Sequence, residues 1–348
     1  MSDPSAKLTA TLSIDLDNLW AYERVAGRSD WKSCPSYFSI VTPRIRAVLM
    51  ELGLPLTVFV VGRDLESRFD REAAESFRDL SAVEYANHSW DHLAWLHRLE
   101  GRELREQIER SHEKIHQDFG IEPIGFRGPG FSCPPAVMDV LADLRYRYDA
   151  SLFPTSLAPL SRLVFRWRTR GSEAADGHLD ELYGGWRSAF RPNQPFQHES
   201  GPKGFWEIPV TTCPLTRTPI HFSYLQALAS ISQAAAKTYF RMALSLCRVR
   251  GIVPSLLLHP PDFLGGDDGI GLNHLPGMRQ THERKLRFMR WALQYLHDRF
   301  EVVTMKDLVD RTSNPHLHTA PSPASVGEGM DGRRGRGVQA TESMESTG

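Results

Sequence analysis

The chain has 348 residues, 41% of them hydrophobic and 24% charged, which is enough apolar material to bury a large core in an ordinary globular protein. Lys and Arg number 41 against 42 Asp and Glu, a formal net charge of -1. No basic field draws such a chain to nucleic acid, so that partner is disfavoured. No apolar run reaches the 18 or so residues that cross a bilayer, and no transmembrane segment is expected.

The first residues pass directly into a strand, without the basic region, apolar core and small-residue cleavage site of a secretory leader. Cys34, Cys133, Cys213 and Cys247 are widely spaced and include no C-x-x-C pair. Both features predict a cytoplasmic protein with reduced thiols. Leu8 to Asp15 reads as a strand ending in Asp15-Leu16-Asp17, and side chains at i and i+2 share one side. Two carboxylates held so close raise each other's pKa unless a cation lies between them, so the pair calls for a metal or a shared proton. A helix cap followed by a solvated turn is the plainer use of such aspartates.

Leu56 to Val61, a continuous apolar run, reads as a strand covered on both faces. Val83 to Ala86 is a third strand candidate and leads to His88-Ser-Trp-Asp-His92, where a spacing of four predicts two imidazoles on one side of a helical turn. With Asp17 they would make a set of two histidines and one carboxylate, leaving open positions for water and substrate. From Arg102 to Phe119, Leu104, Ile108, Ile115 and Phe119 recur at helical spacing, and Gly120 follows where a helix stops.

Ile124 to Phe126 is a short strand candidate before Arg127-Gly128-Pro129-Gly130-Phe131, where glycines let backbone N–H groups approach a ligand and Arg127 can hold a carboxylate in a fork. A tight turn with an exposed arginine is the simpler explanation of that segment alone. Tyr146 to Tyr148 is the next strand candidate, with Asp149 after it as a partner for Arg127. Residues 151 to 220 are rich in Pro, Gly, Trp and Arg, and only Phe205 to Val210 reads as a strand, so 151–250 is treated as an insertion region beside the site. Phe222 to Arg250 reads as a long amphipathic helical segment carrying Lys237, Arg241, Arg248 and Arg250. Its ordinary use is to cover a core, and its alternative use is peripheral contact with a membrane surface.

Val253 to Leu258 is an apolar strand candidate that stops at His259, a position usually filled by a core histidine. Leu286, Met289, Leu293 and Leu296 form a last helical stripe before the strand Glu301 to Thr304. From about Thr312 the chain is rich in Ser, Pro, Gly and Arg without an apolar period, so 312–348 is expected to be disordered and 1–311 to form the catalytic domain. Alternating strands and helices predict an α/β fold with a parallel sheet, and at this length a closed barrel is expected at least as much as an open sheet. The five polar segments all fall at carboxyl ends of strand candidates, where such barrels place their chemistry.

In their order and spacing these segments resemble the polysaccharide deacetylase family, carbohydrate esterase family 4, whose motifs are an aspartate pair, paired histidines, R-x-P, an aspartate segment and a terminal L-x-H. The resemblance runs from about Leu8 to Asp310, without an aligned motif over 155–250, and implies a distorted (β/α)7-type barrel. It implies that Asp15 is the catalytic base and that Asp17, His88 and His92 hold one divalent ion, with zinc expected. It further implies that Arg127 orients Asp15, that His259 is the general acid, and that Asp149 holds His259 or Arg127. Leu257 would line the pocket for the acyl methyl, and the N–H of Gly130 would face the oxyanion.

The implied activity is metal-dependent removal of an N-acetyl or other N-acyl group from a sugar, nucleotide-linked and lipid-linked forms included. Two departures bear on the substrate: the first motif reads Ser13-Ile14-Asp15-Leu16-Asp17-Asn18 in place of adjacent aspartates, and no tryptophan follows Asp149 at the family's distance. The first motif resembles intracellular branches, some of which act on linear amides or cyclic ureides. Two other classes were weighed. An iron oxygenase would use His178-Leu179-Asp180 on an all-strand double sheet, which strand-helix alternation disfavours. A non-catalytic metal- or glycan-binding module would not need Asp15 and His259 together.

Overall fold

A computed structural model describes residues 7–157, 189–198 and 204–313. Its centre is a curled sheet whose hydrogen-bonded order is β6-β7-β5-β4-β3-β2-β1-β8, with β9 also on β1. The strands are β1 Leu8–Leu16, β2 Leu56–Val60, β3 Val83–Asn87, β4 Gly125–Phe126, β5 Tyr148–Asp149, β6 Phe196–Gln197, β7 Trp206–Glu207, β8 Ser255–Leu258 and β9 Phe300–Val303. All pairings are parallel except β6 on β7. Past β7 the chain meets β8 through Thr211 N to Ser255 O at 3.0 Å and Ser255 N to Thr211 Oγ1 at 2.7 Å. Seven parallel strands, β1 to β5 with β7 and β8, thus close a distorted barrel, as the sequence predicts.

Period-two alternation sorts each strand between helices and barrel interior. On β1, Ala10, Leu12, Ile14 and Leu16 join the main core under the helices. The intervening Ser13 and Asp15 point inward, where both receive Arg127. On β2 the same rule sends Leu56, Val58 and Val60 outward and Phe59 inward. A Cβ on inward-facing Gly125 would lie 2.0 Å from the Tyr148 ring, so this position needs glycine.

The helices are α1 Leu19–Val25, α2 Phe38–Glu51, α3 Arg68–Glu75, α4 Gly101–Phe119, α5 Pro135–Asp143, α6 Phe222–Ile231, α7 Gln233–Val249, α8 His282–Arg299 and α9 Met305–Ser313. Helix α4 buries the predicted Leu104, Ile108, Ile115 and Phe119, and Gly120 ends it at φ 68°. The single helix expected over 222–250 is two helices. Ser232 is extended at φ -149° and ψ 112°, and its hydroxyl caps α7 by accepting from Ala235 N. Leu225, Ala229, Ala236, Phe240, Ala243 and Leu244 from this stretch lie in the main core. Lys237 and Arg241 lie over the Trp291 ring of α8. Most of the apolar stripe offered for a membrane surface therefore faces inward, while Ile231, Met242 and Val249 are exposed.

Part of the expected insertion also belongs to the barrel. Residues 204–250 supply strand β7 and helices α6 and α7, elements that periodicity marked at 205–210 and 222–250 without showing that they join the barrel. Helix α9 closes the end of the barrel opposite the aspartates. Met305, Leu308 and Val309 pack on Phe59, Ala86 and Tyr148 of the interior. At its start, Met305 N donates to Thr57 Oγ1, while buried Glu84 accepts from Lys306 N, Thr57 Oγ1 and Tyr148 Oη. The helix runs to Ser313, two residues beyond the expected boundary; the rest of the predicted tail, and His178-Leu179-Asp180, lie outside the described residues. Among the described residues no helix is long and apolar enough to cross a membrane.

Candidate active site and metal centre

Asp15 and Asp17 sit at the carboxyl end of β1, and both are buried. Asp17 Oδ1 lies 3.4 Å from His88 Nε2 and 3.1 Å from His92 Nε2. The two histidines share a face for a different reason than their spacing suggests. Residues 88–92 form a non-helical turn after β3, with Ser89 at φ 64° and His92 at φ 48° in the left-handed region. Asn87 Oδ1 accepts from Ser89 N, and the carbonyls of Ser89 and Trp90 accept from Gly62 N and Arg63 N, which fixes that turn. The rings end 5.1 Å apart.

His88 Nδ1 is 2.6 Å from the Arg127 carbonyl oxygen, so the ring donates there and turns Nε2 toward Asp17. Burial pushes the Asp17 carboxyl upward, but His92 and His88 outweigh it and hold it well below the usual carboxylate range. Three ligand atoms from Asp17, His88 and His92 lie within 4.8 Å of one another. Asp17 Oδ1 is buried without a hydrogen-bond partner. Bonds of about 2.0–2.1 Å at tetrahedral angles separate ligand atoms by roughly 3.3 Å, close to the 3.1 and 3.4 Å found. The residues fit a divalent ion with one carboxylate and two imidazole ligands.

Arg127, buried at the end of β4, donates from Nη1 to Asp15 Oδ1 at 2.6 Å and to Ser13 Oγ at 3.1 Å, and from Nε to the Ala150 carbonyl at 2.8 Å. Its guanidinium lies 4.1 Å from the Phe59 ring centroid. Asp15 Oδ2 is left facing His259 Nε2 at 3.8 Å and His88 Nε2 at 3.9 Å. His259, just past β8, meets Ser223 Oγ through Nδ1 at 3.2 Å, and its backbone N–H donates to Asp262 Oδ2 at 2.8 Å. Ser223 also supports the Asp262 carboxylate, which burial raises and His259 and Lys285 pull back.

Asp149 does not hold Arg127 or His259. Tyr148 and Ala150 face the interior, so alternation turns Asp149 to the other face, where Oδ1 accepts from Ser151 Oγ at 2.6 Å. Ser151 Oγ in turn accepts from Gly128 N at 2.8 Å, so Asp149 supports the Arg127 loop from behind. Burial and the Glu207 charge push the Asp149 carboxyl well above its ordinary range, and Glu207 is pushed up to about 7. Leu257 is likewise displaced from its expected place: it is buried against Phe153 and Val210, and the cavity wall is made by Phe131 and Phe153. Gly130 does line the cavity, at φ 64°.

A cavity of about 460 Å³ opens on Asp15, Asp17, His88, His92 and His259. Reading the sequence missed Ser223, Asp262 and the buried His221, which all line it. His221 sits edge-on to Tyr224, Phe153 and His259, and burial with the nearby His259 holds it well below the usual histidine range. The only signal for this group was an aspartate three residues after the histidine in His259-Pro260-Pro261-Asp262.

The Polysaccharide deacetylase family model matches residues 33–148. No curated protein matches the chain. A structure from Mycobacterium smegmatis, described provisionally as a polysaccharide deacetylase, is 19% identical over 93% of this chain and 97% of its own, with a TM-score of 0.58. Another from Pseudomonas aeruginosa PAO1, with a similarly provisional description, is 13% identical over 89% of this chain and 92% of its own, at 0.55. At these identities the likeness is one of fold.

Proposed function

We propose, from the match of the Polysaccharide deacetylase family model to residues 33–148 and the shared fold, that the chain is a metal-dependent hydrolase that removes an N-acetyl group from a sugar or glycan precursor. The observation that carries this reading is the convergence of Asp17, His88 and His92 with Asp15 and His259 on one cavity at one end of the barrel. A divalent ion held by Asp17, His88 and His92 would supply Lewis acidity to the acyl carbonyl and lower the pKa of water toward 7.

Arg127 occupies Asp15 Oδ1, so Asp15 Oδ2 is the oxygen that takes the proton of the attacking water. As the acyl carbon gains oxygen, the Gly130 N–H is the backbone donor for its developing charge. The carbon–nitrogen bond then breaks, and His259 Nε2, facing Asp15, delivers a proton to the departing amine. Ser223 on Nδ1 keeps that ring turned toward the reacting atoms.

Release of acetate from acetylated sugars, nucleotide sugars and lipid-linked sugars, together with bound-metal analysis, tests the assignment. His88→Ala is expected to lower metal content and abolish release. Normal metal content and turnover in that variant would overturn the reading.

A further inference from the structure

The cavity is larger and more apolar than an acetyl group requires. At about 30 Å³ for each water-sized group, 460 Å³ has room for on the order of 15 non-hydrogen atoms, an acetamido group and a body about the size of one sugar ring, so the chemistry of the walls decides what that body is. Four polar groups that line it are engaged within the site: Asp15 with Arg127, Asp262 with the His259 backbone, Ser223 with the His259 ring and Lys285 with the Pro261 carbonyl. Tyr22, His221, Tyr224 and His274 also line it, and among the described residues the remaining wall is carbon: Val25 and Ala26 at the end of α1, Ala227 on α6, Leu275, and the Phe131–Phe153 pair with centroids 4.9 Å apart. Each sugar hydroxyl placed against such walls would lose water without gaining a partner. A hydrocarbon or aromatic group would gain with every carbon buried.

We infer that the cavity receives an apolar group of roughly ten carbons attached next to the scissile amide, so that the substrate is an amphiphilic N-acyl compound. This rests on the proposed hydrolase only for which bond lies beside the group. The apolar group has two sources, a long acyl chain or a hydrophobic substituent on the amine side.

Two ligand series on the zinc-loaded full chain, followed by calorimetry, distinguish them. The first runs from acetohydroxamate to decanohydroxamate; the second runs from methyl to octyl glycosides of N-acetylglucosamine. Affinity is expected to rise roughly fourfold per methylene in the series that matches the source, until the cavity is full. Filling the wall by Ala227→Phe, or independently by Val25→Trp, should flatten that rise while leaving acetohydroxamate binding intact. Affinity independent of chain length in both series would overturn the inference. If acetohydroxamate fails to bind while the glycoside series still rises, the metal reading fails and the apolar cavity stands.

Discussion

His259 has no carboxylate on its ring nitrogens at hydrogen-bond distance; its Nδ1 meets Ser223, and its Nε2 stands 3.8 Å from Asp15. Asp15→Asn and His259→Ala should each retain metal and fold while turnover falls at least roughly a hundredfold, the usual scale for a general base or acid. Ser223→Ala should cost about tenfold or less in turnover, with KM little changed and Ser223→Thr restoring the rate. Unaltered turnover in Ser223→Ala would show that the serine only fills space. The aspartate pair and H-x3-H were legible because each lies within a few residues of a strand end. Ser223 was not, because 36 residues of chain separate it from His259 and only the packing of α6 beside β8 joins them.

Two strand neighbours carry a second titrating element. Asp149 on β5 and Glu207 on β7 are paired across the sheet and both buried; the Glu207 charge helps push Asp149 up, while burial raises Glu207 against a hydrogen bond with Asp149 that favours its charge. Glu207 ionises near 4.5 when unfolded and near 7 in the fold. Between those values the native state keeps a proton that the unfolded chain has lost, so stability falls as pH rises through 7. Glu207→Gln should remove roughly 3 kcal/mol of that decline, seen as a flatter denaturation midpoint between pH 5 and 8. A decline as steep as in the unmodified chain would rule out this pair as its source. The strand positions of this pair could be read approximately, but placing Asp149 after the strand and not within β5 hid which way it points. The same local logic governs α6 and α7. Charge reversal at Arg241, Arg248 and Arg250 is expected to leave sedimentation with anionic liposomes unchanged at low salt, because most of the apolar residues of both helices are buried and only Ile231, Met242 and Val249 are exposed.

At the scale of the molecule, the alternation of apolar strands and amphipathic helices was enough to predict a parallel sheet, and the order of the motifs pointed to its closure as a barrel. Its seven-strand closure was not readable, since β4, β5 and β7 are two residues long and Thr211 and Ser255 complete the ring outside any regular strand pair. The seal at the far end also depends on tertiary contact. Leu308→Ala, beneath the interior layer, should cost about 2–5 kcal/mol in denaturant unfolding while zinc content stays whole, because the metal residues lie at the opposite end. Loss of zinc at full stability would contradict that separation.

The pairing of β9 with β1 has a consequence for biosynthesis. Leu8 to Thr11 leave the ribosome first, yet their partner, Phe300 to Val303, is made almost 300 residues later. Until then the nascent chain carries an open strand edge, and the lower interior lacks Met305, Leu308 and Val309. The barrel cannot close until β9 and α9 have emerged, so its completion comes late in synthesis. Ribosome-stalled chains ending before Val303 should therefore stay sensitive to protease over their first strand, and those extended well past Ser313 should become resistant.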